Sequence, residues 1–220
     1  MRKLVVGVVA VLAVMAVAML AFVVFRPITV LPRLGLAPGF SLVDQAGGRL
    51  TSEDLRGSIV VYTFGYSGCR GRCFPTDSIL AVLQARLPEV EAGGIPIRLV
   101  SISFDAARDT PPVLDSVARE RGADPEVWRF ATGEPAALKT LLGAGFGVYY
   151  ASSDDGGFHH DPAFRIVDGA GLLRRRYQVG LPTVDALLQD LSLIAREARA
   201  STGRARLAYE AAHLFSCYSD

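Results

Sequence analysis

Residues 58–66 (SIVVYTFGY) constrain this chain more than any other stretch. β-Branched and aromatic side chains crowd the run, which suits a strand buried in the middle of a sheet. Just after it, residues 75–87 repeat apolar side chains at Ile79, Leu80, Val82, Leu83 and Leu87, a helical face. Residues 97–104 read as a second strand, and Thr110 before Pro111 and Pro112 opens a helix towards Arg121, an N-cap residue followed by proline at the first helical position. Residues 127–131 suggest a short strand and 134–142 a helix stopping at Gly143. Residues 40–43 and 49–51 flank a turn as one hairpin, 163–167 and 172–177 flank DGAG as another, and an amphipathic helix runs from Thr183 to about Ala198 as the last element. Strands alternating with helices, then a hairpin and a helix, predict an α/β sandwich around one sheet.

The N-terminus adds a different element. Met1-Arg2-Lys3 precedes LVVGVVAVLAVMAVAMLAFVVF, residues 4–25, with no charge before Arg26. At about 1.5 Å per residue such a run spans the roughly 30 Å hydrocarbon core of a bilayer. It exceeds the roughly 7–15 apolar residues of a cleaved signal peptide, and no clean A-x-A site follows. The expectation is therefore one uncleaved transmembrane helix, a single-pass anchor in the cytoplasmic (inner) membrane. Arg2 and Lys3 would put the N-terminus in the cytoplasm and the body on the periplasmic side. The expected organisation is an anchor over 1–26, a Pro-rich linker over 27–38, one domain over 39–199 and an extension over 200–220. With 220 residues, half of them hydrophobic, a second full domain has no room. A net charge of +1 without a basic, aromatic-laced stripe excludes nucleic acid as a partner.

Where the first strand gives way to its helix stands GYSGCRGRCFP, with Cys69 and Cys73 flanked by Arg70 and Arg72. So short a loop removes little chain entropy, so a structural staple is a poor reason for the pair. A helix N-terminus stabilises thiolate over thiol, and both arginines push the same way. At i and i+4 on a helical turn the Cβ atoms lie about 5–6 Å apart, against about 3.5–4.5 Å in a disulfide. A redox pair therefore needs the loop to tighten, whereas a soft ion such as Cu(I) or zinc tolerates the wider gap. A third ligand would be a histidine, and the chain has three: His159 and His160 in GGFHHDPAFRIVDG, and His213 in the tail. His213 and Cys217 share i, i+4 spacing, but the tail that carries them reads better as a packing or membrane-surface segment. If residues 160–166 are extended, side chains two apart share a face. Phe164 and Ile166 then point inward with His160, while Arg165 and His159 point to solvent.

Three ordered motifs, FGYSGCRGRC, LVSISFDAARDTPPVLDSVA and HHDPAFRIVDGAG followed by RRRY, resemble the Sco/SenC family over roughly residues 36–195. The resemblance implies a thioredoxin-like fold, a central mixed sheet flanked by helices, with one N-terminal transmembrane helix. It implies a membrane-anchored copper chaperone that delivers Cu(I) to the binuclear copper site of a cytochrome c oxidase subunit during assembly. Cys69, Cys73 and His160 match the family's metal ligands. Asp105 stands where the family has an acidic residue near the site, and Asp109 is expected to help cap the helix after it. The sequence departs from the family where Arg70 replaces a proline after the first cysteine and Phe74 is inserted before Pro75. Two other functions stay open. In one, Cys69 and Cys73 are the redox pair of a thiol-disulfide oxidoreductase that reduces the oxidase cysteines by attack on a partner disulfide. In the other, the chain is a non-catalytic assembly or interaction subunit.

Overall fold

The computed structural model describes residues 2–25, 29–68, 74–154, 156–178, 180–201 and 205–215. An N-terminal helix α1 (Arg2–Phe25) precedes ten strands: β1 (Gly35–Leu36), β2 (Ser41–Asp44), β3 (Arg49–Thr51), β4 (Ile59–Gly65), β5 (Ile97–Ser103), β6 (Trp128–Thr132), β7 (Tyr150–Ser152), β8 (Phe158–His160), β9 (Phe164–Val167) and β10 (Leu172–Tyr177). The remaining helices are α2 (Phe74–Arg86), α3 (Pro111–Glu120), α4 (Pro135–Thr140), α5 (Val184–Ala200) and α6 (Arg206–Phe215). Eight strands form one mixed sheet in the order β1-β10-β9-β4-β5-β6-β2-β3, and β7 with β8 makes a separate hairpin. The β4–β5 and β5–β6 pairs are parallel, while β9 joins β4 antiparallel.

Strand β4 lies at the centre because every one of its first six residues is buried. Alternation sends its side chains to two cores. Ile59 and Val61 meet Leu80, Leu83, Leu187 and Leu191 from α2 and α5. Val60, Tyr62 and Phe64 meet Leu138, Leu142 and Phe146 on the other side. Each such side chain contributes roughly 1.5–3 kcal/mol of burial, so the sheet is held from both faces and the C-terminal end of β4 becomes a fixed platform.

Four local expectations need correction. The apolar N-terminal run does form a helix, α1, but among the described residues no helix is long and apolar enough to cross a membrane. The expected N-terminal transmembrane helix is corrected on that finding. The helix expected to stop at Gly143 instead passes into a π-helical turn, Leu141–Phe146, ended by a left-handed Gly147 (φ 66°). Arg165, expected in solvent, is fully buried. Its guanidinium donates to the carbonyls of Phe146 (2.8 Å), Phe164 (2.9 Å) and Tyr177 (3.0 Å), tying the π turn to β9 and β10. Burial, helped by the charge of Arg176, pushes its pKa down to about 10. Finally, α5 is not the last helix: α6 follows and docks on the domain.

Glu197 gathers most of the polar contacts of that docking. Glu197 of α5 accepts from Arg33 (3.1 Å), from Arg174 of β10 (2.5 Å) and makes a 2.8 Å contact with Nε2 of His213 on α6. Arg174 also holds Asp168 (2.9 Å) and the carbonyl of Leu31 (2.7 Å), and Arg33 reaches Glu210 of α6 (3.1 Å). Val30 and Leu31 are buried, and β1 pairs with β10, so residues 30–36 lie against the same edge.

Candidate metal and thiol site

Cys69, Cys73, Arg70 and Arg72 lie outside the described residues, as does Cys217. The structure does describe both approaches to the pair, Tyr66-Ser67-Gly68 after β4 and the first turn of α2 from Phe74. Among the described residues no group of three or more His, Cys, Asp or Glu is placed to hold a metal ion.

The approach from β4 is anchored by Asp109, which is fully buried. It does not cap α3: Thr110, the residue at the cap position, makes no side-chain cap bond either. Instead the Asp109 carboxylate accepts from the backbone N–H of Ser67 (2.8 Å), from the Ser67 hydroxyl and from the Ser103 hydroxyl (2.5 Å). Parallel pairing explains the choice, because it sets Gly65 beside Ser103 and delivers both serines to one carboxylate. Beneath this junction is a cavity of about 40 Å³ lined by Thr63, Thr76, Asp77, Ser101, Asp109 and Arg121. Burial pushes the Asp77 carboxyl up, against the pull of Arg121 at 3.2 Å.

On the other side stands the β7–β8 hairpin, whose register pairs Tyr150 with His160 and Ser152 with Phe158. His160 is half-buried and His159 exposed. The His160 ring meets Phe104 edge-on at 5.1 Å and Tyr66 at 6.0 Å. Tyr66 is three residues before Cys69, so the histidine-bearing strand lies against the chain that leads to the first cysteine. The expected register argument does not account for this: β8 and β9 belong to different sheets, residues 161–163 between them are not strand, and Arg165 is buried.

Asp105 is buried at the end of β5, with one carboxylate oxygen, Oδ2, that accepts no hydrogen bond and lies 3.6 Å from Arg108. Arg108 in turn donates to the carbonyl of Gly156 at the hairpin tip (2.9 Å). Sequence reasoning missed Tyr66, Phe104 and Arg108 as neighbours of the histidine. The only signal was their place inside the motifs, since nothing in local periodicity links them to a hairpin some fifty to ninety residues away. His213, the other histidine considered for metal, is engaged with Glu197.

The family model for SCO1/SenC matches residues 32–196, three quarters of the chain. Protein SenC of Rhodobacter capsulatus is 32% identical over 111 residues, covering 50% of this chain and 49% of that protein. The chain spans about half the length of the curated relatives it matches. Among solved structures, Arabidopsis thaliana ScoI with copper bound superposes with a TM-score of 0.65 at 24% identity, over 74% of this chain and 99% of that one. BsSco, a member of the Sco family of cytochrome c oxidase assembly proteins with a disulfide switch, gives a TM-score of 0.66 at 22% identity, over 76% and 98%. These structural likenesses establish the thioredoxin-like α/β fold.

Proposed function

The chain belongs to the SCO1/SenC family, and from that premise we propose that it carries Cu(I) as cargo and hands it to the subunit bearing the binuclear copper site of cytochrome c oxidase, on the extracytoplasmic side. Cys69, Cys73 and His160 are the ligands in this reading. One observation carries it: a hairpin outside the main sheet holds the His160 ring against Tyr66, three residues before Cys69 in the chain. Two thiolates and an imidazole suit Cu(I), a soft ion content with few ligands. Two thiolates and Cu(I) leave one net negative charge, which Arg70 and Arg72 offset. Release proceeds by ligand exchange, a partner thiolate displacing one of the two. Asp109 holds Ser67, two residues before Cys69 in the chain. The copper-bound Arabidopsis relative and the assembly role of the Sco family named for BsSco support the reading.

The test is a competition measurement of Cu(I) affinity on the reduced chain. Cys69→Ser and Cys73→Ser should each abolish tight binding as completely as the double change, because one ion is shared. His160→Ala should weaken binding while leaving the thiols able to form a disulfide, and His159→Ala should change little. Half-retained affinity in a single cysteine variant refutes a shared ion. Intact disulfide exchange with no Cu(I) binding in the wild type favours the oxidoreductase reading instead.

A further inference from the structure

The hairpin that bears His160 is no part of the main sheet, so its position must be set by something other than strand pairing. Its described ties to the site are few. The Phe158 N–H, directed away from its strand partner Ser152, donates to the Tyr66 hydroxyl oxygen (3.1 Å). The Tyr66 ring also meets Phe158 edge-on at 5.1 Å. Phe104 stacks on Tyr150 at 4.4 Å, and Arg108 holds the carbonyl of Gly156. Tyr66 differs from the others in belonging to the same short run as the first cysteine. Its backbone leads to Cys69, and its neighbour Ser67 is fixed by Asp109.

We propose that Tyr66 is a positioning residue for His160: its hydroxyl clasps the β7–β8 hairpin to the end of β4 and so sets the histidine's reach to the thiols. The proposal rests on the reading of His160 as a ligand. The hydroxyl bonds the strand at Phe158, two residues before His160 and on the same face, so loosening this bond moves the imidazole most directly. Arg108 secures the same hairpin at its tip, farther from the histidine. The clasp thus ties the third ligand to the backbone that presents the first.

The experiment compares Cu(I) affinities of the full chain as wild type, Tyr66→Phe, His160→Ala and the double variant. Phenylalanine keeps the ring contacts and removes only the acceptor, so a loss of about 3- to 10-fold is expected, the worth of one hydrogen bond. In the His160→Ala background the same change should cost less than about twofold, because no ligand remains to be misplaced. The X-ray absorption edge of bound copper in Tyr66→Phe should move towards that of His160→Ala, a signature that loss of stability alone does not produce. If Tyr66→Phe fails to fold, Arg108→Ala, at an exposed side chain, serves in its place and is expected to act in the same direction. If His160→Ala weakens binding and Tyr66→Phe does not, the clasp alone is refuted. Equal losses with and without His160 also overturn it, since the tyrosine would then act on the thiols. If His160→Ala binds like wild type, the ligand reading falls and takes the clasp with it.

Discussion

Replacing Glu197 by glutamine tests how the two ends of the chain are held on the domain. Glu197 is 6% exposed and Arg174 2% exposed, and the pair is closed at 2.5 Å with Arg33 and His213 on the other carboxylate oxygen. Removing one partner of a buried ion pair costs about 3–5 kcal/mol. Glutamine keeps one accepting oxygen, and Arg174 keeps Asp168, so about 2–4 kcal/mol is expected. For a chain of this size that lowers the thermal midpoint by roughly 4–16 °C, measured by circular dichroism on the full chain. Glu210→Gln, at a half-exposed partner of Arg33, should leave the midpoint unchanged. The pH dependence supplies an independent check. Burial pushes the Glu197 carboxyl up, but the hydrogen bonds and charges of Arg174 and His213 outweigh it and hold the group below its ordinary 4.5. A carboxyl lowered by folding contributes stability that is complete above the unfolded value and is lost as the pH falls through the folded one. The gap between wild type and Glu197→Gln should therefore be full at neutral pH and close below about pH 4.5. A midpoint within about 2 °C of wild type at neutral pH, or a gap that widens in acid, refutes the reasoning.

Arg70→Ala with Arg72→Ala should raise the pH at which the thiols react with an alkylating probe, because two cations no longer favour thiolate; an unchanged profile would assign the tuning to the helix end alone. Asp109→Asn should destabilise the chain by about 1–3 kcal/mol, since the amide turns a donor towards groups that themselves donate, and should alter thiol reactivity by freeing Ser67. Full stability with unchanged reactivity would show that Ser67 is fixed by other contacts.

The order of strands and helices was legible because burial leaves a periodic trace. The run that became β4 is buried at each of its first six positions, Thr63 alone among them being neither aliphatic nor aromatic, since both of its faces meet a core, and the turn between β9 and β10 is written in Asp168 and Gly171. What the sequence could not show is which polar groups meet across the sheet. Arg165 occupies a strand position that alternation assigns to solvent, yet the carbonyls of the π turn, a feature with no sequence signature, draw its guanidinium inward. The position of His160 follows from a separate hairpin and its aromatic neighbours, not from the parity of one continuous strand. Asp109 shows the general cause. Next to Thr110-Pro111-Pro112 it reads as a capping group, because local rules pair a side chain with nearby backbone. Parallel pairing of β4 and β5, however, brings Ser67, 42 residues away, and Ser103 to the same carboxylate. A buried carboxylate accepts from the donors that desolvate with it. Three charge-assisted bonds from two strand ends therefore outweigh one cap on a helix whose first residues are prolines and need fewer amides satisfied.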